Sequence, residues 1–194
     1  MATVAREAVL LMTVDEFLVC ETGEGNAELI RGELRVSPPA GAPHGVAGAN
    51  LLMLLLAHVV PRKPGRVFGD GFGYQLVQIA HTVRVPDASF VRAERWPADG
   101  IGRGVVKFPP DIAIEVLSPS ETASGLQEKI DDYQLSGTTL VWVLDPVRRS
   151  VAVVAHNAPL TQLHEGDMLD GGDVLPDFSC AVADLFDGIA RDQR

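Results

Sequence analysis

Asp111-Ile-Ala-Ile-Glu-Val-Leu-Ser118, then Ser124-Gly-Leu-Gln127, then Leu140-Val-Trp-Val-Leu144 read in turn as strand, helix and strand. Between its polar ends, Asp111 and Ser118, the first stretch is apolar except at Glu115, and its residues alternate faces, so Ala113, Glu115 and Leu117 share one side and Ile112, Ile114 and Val116 the other. The second matches a capping box, with Leu126, Ile130 and Tyr133 spaced to face a core and Gly137 as the stop signal. The third is an uninterrupted apolar run, turned by Asp145-Pro146, of the kind found in a buried strand.

Working outward, Thr13-Val-Asp-Glu16 is a capping box that opens a short helix through about Cys20, broken by Gly23, Gly25 and Asn26. Glu28 to Ser37 reads as two short strands meeting near Gly32, a hairpin. Pro38 to Pro43 is a loop, and His44 to about Val60 is a buried helix ended by Pro61. Strands follow at Arg66–Gly69, Tyr74–Gln78, Thr82–Val91 and Asp111–Leu117, with a Gly- and Pro-rich loop from Ala93 to Pro110. Ser150 to Ala155 is a further strand, and a short helix begins at Asp184. This order describes one mixed α/β (α+β) domain, residues 1–194 with a core at about 13–186, in which helices flank a central sheet.

With 194 residues the chain can bury a full core. The apolar run from Val46 to Val60 contains Asn50 and His58 and reads as too short to span a bilayer, so no membrane partner is expected. The run Ala8 to Met12 lacks a small-residue cleavage pattern, which argues against a signal peptide. Cys20 and Cys180 have no metal spacing and read as reduced thiols. A cytoplasmic location follows.

Net charge is −10, which is unusual for a generic nucleic-acid binder. Any binding to a polyanion must rest on local groups of cations, of which Arg62, Lys63 and Arg66 form one and Arg84, Arg92 and Arg95 another.

A carboxylate in an apolar strand is costly to bury unless it is paired or holds a metal. Glu115 is such a residue, and Asp87, in Val83-Arg-Val-Pro-Asp87, is a second on another expected strand. With Lys129 at the edge of the core-facing side of its helix, they make a minimal set for holding Mg²⁺ against a phosphodiester. Glu28 is a candidate third carboxylate, and His44 a candidate for phosphate contact or proton transfer. His58, His81, His156 and His164 lack ligand spacing and read as structural. Gly69-Asp-Gly-Phe-Gly73 lacks the lysine and helix of a phosphate-binding loop.

Together, Glu28-Leu-Ile-Arg-Gly-Glu33, Val83-Arg-Val-Pro-Asp87, Ile114-Glu-Val-Leu-Ser-Pro-Ser120, Lys129, Tyr133 and Val141-Trp-Val-Leu-Asp-Pro146 resemble the Uma-two-type family of bacterial endonucleases, within the PD-(D/E)XK superfamily. The resemblance spans Thr13 to about Phe186. It implies a restriction endonuclease-like core and a Mg²⁺-dependent phosphodiesterase, with Mn²⁺ as an alternative ion. Asp87, Glu115 and the main-chain carbonyl of Val116 would be metal ligands, Lys129 would assist the attacking water, and Glu28 and His44 match further family positions. The superfamily lysine normally stands two residues after the glutamate. Leu117 occupies that place here, and the resemblance assigns the role to Lys129 on the next helix.

The expected substrate is nucleic acid, DNA ahead of RNA, and a homodimer would supply two sites for a duplex. Two other readings remain. One is a catalytically silent fold in which Glu115 and Lys129 form a structural ion pair. The other is a metal-dependent hydrolase of non-nucleic phosphoesters.

Overall fold

The computed structural model describes residues 11–21 and 26–191. The expected helix breakers Gly23 and Gly25, and the apolar run from Ala8 as far as residue 10, lie outside them.

The first helix, α1 (Val14–Phe17), is capped as its sequence dictates: the Thr13 hydroxyl accepts from the Glu16 N–H, and the Glu16 carboxylate accepts from the Thr13 N–H at 2.7 Å. Strands β1 (Asn26–Ile30) and β2 (Glu33–Ser37) form the expected hairpin. Its turn places Arg31 at φ +52° and Gly32 at φ +87°, the left-handed pair of a two-residue hairpin turn. A Cβ at position 32 would also lie 2.8 Å from Leu11 Cβ, so glycine is required twice over.

Helix α2 spans Ala42–Arg62, longer at both ends than expected. Pro43 sits in the first turn, where its missing N–H costs nothing. Pro61 does not end the helix; it occupies the last turn. The stop is Lys63, left-handed at φ +56°, just before Pro64. At 21 residues, with an 18-residue window of mean hydropathy 1.5, α2 is by length and composition long and apolar enough to cross a membrane, because it extends beyond the Val46–Val60 run expected to be too short. Here its Leu51, Leu55 and Val59 face packs into the core.

The expected strand Thr82–Val91 is two. After β3 (Gly65–Gly69) and β4 (Tyr74–Gln75) come β5 (Val83–Arg84) and β6 (Ala88–Arg92), which belong to different sheets. Val85-Pro86-Asp87 crosses between them, because Pro86 has no N–H for a ladder. Tyr74–Gln78 likewise shrinks to two paired residues. Beyond β7 (Ile112–Val116), helix α3 (Ala123–Leu135) starts at a different cap from the one expected. Thr122, not Ser124, is the N-cap, accepting from the Gly125 N–H at 3.0 Å.

Strand β8 (Leu140–Asp145) runs parallel to β7, with Glu115 opposite Val143. Strands β9 (Ser150–Ala155), β10 (Thr161–His164), β11 (Met168–Gly171) and β12 (Leu175–Ala181) precede α4 (Val182–Leu185). The sequence reading assigned no element to β10, β11 or β12; the first two are four residues long, and β12, at seven residues, contains Pro176 and does not alternate regularly.

The six-stranded mixed sheet has the order β10-β9-β8-β7-β6-β3, and a four-stranded antiparallel sheet has the order β2-β1-β5-β4. On one face of the larger sheet, Ile112, Ile114 and Val116 pack with α2, α4 and β12. On the other, Ala113, Val141 and Val143 pack with Ile130 and Tyr133 of α3.

Candidate active site

The crossing at residues 85–87 leaves backbone donors that no strand satisfies, and carboxylates supply the acceptors. The Val85 N–H donates to Glu28 Oε1 at 2.9 Å. The Val116 N–H, at the end of β7, donates to Asp87 Oδ2 at 2.6 Å. Asp87 is thereby fixed at the mouth of β7 rather than inside a strand. His44, on the first turn of α2, places Nε2 3.2 Å from the same Asp87 oxygen. That contact holds the His44 imidazolium above its ordinary pKa, with burial opposing and the charges of Asp87, Asp70 and Glu115 adding to the rise.

Glu115 lies below, 3% exposed. Lys129 donates to its Oε2 at 2.9 Å, and the Tyr133 hydroxyl donates to its Oε1 at 2.8 Å. Burial pushes the Glu115 carboxyl well above the usual carboxylate range; Lys129 opposes this, and the charges of Asp87 and Glu28 add to it. Burial alone would lower Lys129, but Glu115 foremost, then Glu28 and Glu121, holds it above the usual lysine value. Glu121 approaches Lys129 at 3.4 Å.

These groups surround an open cleft of about 280 Å³, lined by Glu28, His44, Asp87, Val116, Glu121 and Lys129 among others. Of the six site positions singled out from sequence, only Glu115 is absent from its surface, lying beneath it. Glu28 is at the cleft, but Val85 N–H engages one of its oxygens and Arg84 the other, at 3.0 Å.

Arg84 is the residue the sequence reading misplaced. It is no groove cation. At 1% exposure it bonds Asp132, itself fully buried, through Nε at 3.0 Å. Arg31 reaches the other Asp132 oxygen at 2.6 Å, and both Arg31 and Arg35 bond Glu128. The network joins β1, β2 and β5 to α3 behind the cleft. An arginine inside an apolar strand was the signal, of the same kind as Glu115, but its partner on α3 is 48 residues away. Arg95 is likewise committed, to Asp111 at 2.9 Å.

Could these residues hold a divalent ion? Asp87, Glu115 and the Val116 carbonyl offer hard oxygen donors of the type Mg²⁺ takes, and Mg²⁺ commonly uses one or two carboxylates, completed by water and substrate phosphate. Asp87 Oδ1 accepts no hydrogen bond from a described residue. Burial is the main cause of the upward push on Glu115, and the charges of Asp87 and Glu28 add to it; a cation beside these carboxylates would oppose that added part. Among the described residues no three or more His, Cys, Asp or Glu side chains converge as a ready cage. The donor set therefore fits a two-carboxylate site, with the ion competing with Lys129 for Glu115.

The Uma2 family, described as "Putative restriction endonuclease", matches residues 14–183. No curated protein matches. Among solved structures, a crystal structure described as "a putative nuclease belonging to DUF820", from Anabaena variabilis, superposes with a TM-score of 0.79. It is 22% identical, and the match covers 90% of this chain and 97% of that one. The two share a fold.

Proposed function

We propose, from the premise that this chain belongs to the Uma2 family of restriction endonucleases, that it is a Mg²⁺-dependent endonuclease that cuts DNA in the cleft between His44, Asp87 and Lys129. The observation that carries the reading is the convergence of Asp87, Glu115 and Lys129 on the end of β7, with Val116 bonded to Asp87 at 2.6 Å. Asp87, Glu115 and the Val116 carbonyl would hold Mg²⁺ or Mn²⁺, which when bound would polarise a phosphate and acidify a water. Lys129 offers its ammonium to the attacking water and to the charge developing on the phosphate. His44 carries a proton on Nε2, available to a leaving oxygen. Glu28, with both oxygens engaged, serves to fix the crossing that aims Asp87.

Calorimetric titration of Mg²⁺ and Mn²⁺, beside supercoiled-plasmid nicking, tests this in the wild type and in Asp87→Asn. Binding and nicking that both vanish in the variant support it. Binding without nicking of DNA or RNA moves the substrate to another phosphoester, and no binding refutes it.

The Lys129–Glu115 contact of 2.9 Å also favours a second reading, a silent fold stapled by a buried ion pair. The proposal further includes a homodimer. The exposed side of α2 carries Ala49, Met53, Leu56 and Val60, all uncharged, on the helix that bears His44. Sedimentation should show a wild-type dimer that Met53→Lys converts to monomer; a monomeric wild type removes the dimer.

A further inference from the structure

Outside the cleft, the cations are sorted. Arg62, Lys63, Arg66, Arg103 and Lys107 are exposed and form no ion pair with a described residue. Every other described lysine or arginine does form one. The first three of the unpaired residues stand where α2 ends and β3 begins; the other two stand in the loop before β7. They are neighbours in space. Lys63 and Arg66 line one shallow cavity with Trp96, and Arg103 and Lys107 line a second with Phe108. Trp96 and Phe108 meet edge to face at 6.4 Å, which joins the two. Of the nearby acids, Glu94 lies 3.8 Å from Arg92, leaving Asp99 uncommitted. In a chain of net charge −10, this is the sector where a polyanion meets positive potential.

Arg66 is also pre-oriented. Its guanidinium lies 4.8 Å over the Trp96 ring. Trp96 in turn stacks on Phe68 at 5.4 Å, and Phe68 on Phe72 at 3.9 Å. A guanidinium held over a fixed ring can still offer N–H groups to the oxygens of a phosphate and loses less entropy on binding. The strand register sets its distance from the chemistry. Gly69 pairs with Ala88, beside Asp87, and Arg66 pairs with Val91. Asp87 stands four strand residues from Val91, about 13 Å, and Lys63 stands about 28 Å along α2 from His44. Those spans are about four and about eight nucleotides of axial rise along one strand of a duplex.

We infer that this sector docks the backbone phosphates of the nucleic acid cut in the cleft, gripping it from about four nucleotides beyond the scissile phosphate outward, with Arg66, Lys63 and Lys107 as the contacts. The inference rests on the nuclease reading above and adds to it the surface that lets an acidic protein hold an acidic substrate.

The test is fluorescence anisotropy of a labelled 30-base-pair duplex with the full chain in EDTA, across a salt series. The proteins are wild type, the triple variant Lys63→Glu/Arg66→Glu/Lys107→Glu, and Arg66→Lys. All three sites are exposed, and matching circular dichroism checks folding. The triple variant should bind at least tenfold more weakly, with its log–log salt slope reduced by about 2 to 3, at about 0.9 for each phosphate no longer neutralised. Arg66→Lys should keep the slope and bind a few-fold more weakly, because the charge remains and the flat fork does not. An unchanged affinity and slope in the triple variant would overturn the docking surface while leaving Mg²⁺-dependent nicking untouched. Duplex binding that depends on these residues in a protein that never nicks would instead refute the nuclease and keep the surface. No duplex binding, with capture of an acidic protein by this sector, would overturn the inference in favour of a protein partner.

Discussion

Glu115→Gln separates the two readings of the cleft. Breaking a buried pair costs roughly 3–5 kcal/mol, but Lys129 keeps Glu121 at 3.4 Å and is partly exposed, so the loss here is expected at about 1–3 kcal/mol. The nuclease reading adds a loss of nicking of about 100-fold or more, as removal of a charge-bearing catalytic group gives elsewhere. Retained nicking would sink the metal site; retained stability would sink the structural ion pair. His44 gives a pH test. Its folded pKa is raised, so the stability from its Asp87 contact is complete below about pH 6.5 and drains away as the pH climbs through the raised value. The melting-temperature gap between wild type and His44→Gln should be wide at pH 5.5 and narrow at pH 9. A gap that widens with pH would contradict the contact.

Helix α3 carries both Lys129 and Tyr133, so its start matters to the site. Ser124-Gly-Leu-Gln127 fits the capping-box pattern, yet Thr122 makes the bond, since Ala123 already has helical geometry and residue 124 lies inside the first turn. Thr122→Ala should cost about 1 kcal/mol by denaturant unfolding and Ser124→Ala close to nothing. The opposite order would return the helix start to Ser124. Strand β7 illustrates what an element reveals unaided. Its alternation placed Glu115 and Ile114 on opposite faces, and the structure shows these to be the α3 face and the α2 face. The strand containing Asp87 was misread, because Val83 to Val91 is continuously strand-like in composition while only Pro86 marks the break.

Across the whole molecule, Arg84 ties the small sheet to α3, which covers one face of the large sheet, through Asp132, and bonds Glu28 within its own sheet. Arg84→Ala would leave Asp132 buried with Arg31 alone, and a loss of roughly 3–5 kcal/mol is expected in chemical denaturation. Arg84→Lys should recover only part of it, because an ammonium cannot fork between two carboxylates. A loss below about 1 kcal/mol would show that the sheets are held by packing alone. Local pattern was enough to determine the mixed α/β class, the hairpin at Gly32, the strand–helix–strand unit and the oddity of Glu115. Each depends on residues a few positions apart, where alternation, capping and turn chemistry act. Tertiary structure alone decided that the chain changes sheets at Pro86, that Arg84 turns inward, that Glu28 is spent on the Val85 N–H, and that Lys63 and Arg66 gather at Trp96 with Lys107 at the neighbouring Phe108. Those outcomes depend on partners dozens of residues apart, brought together by burial, and no local periodicity records which distant group will satisfy a buried charge.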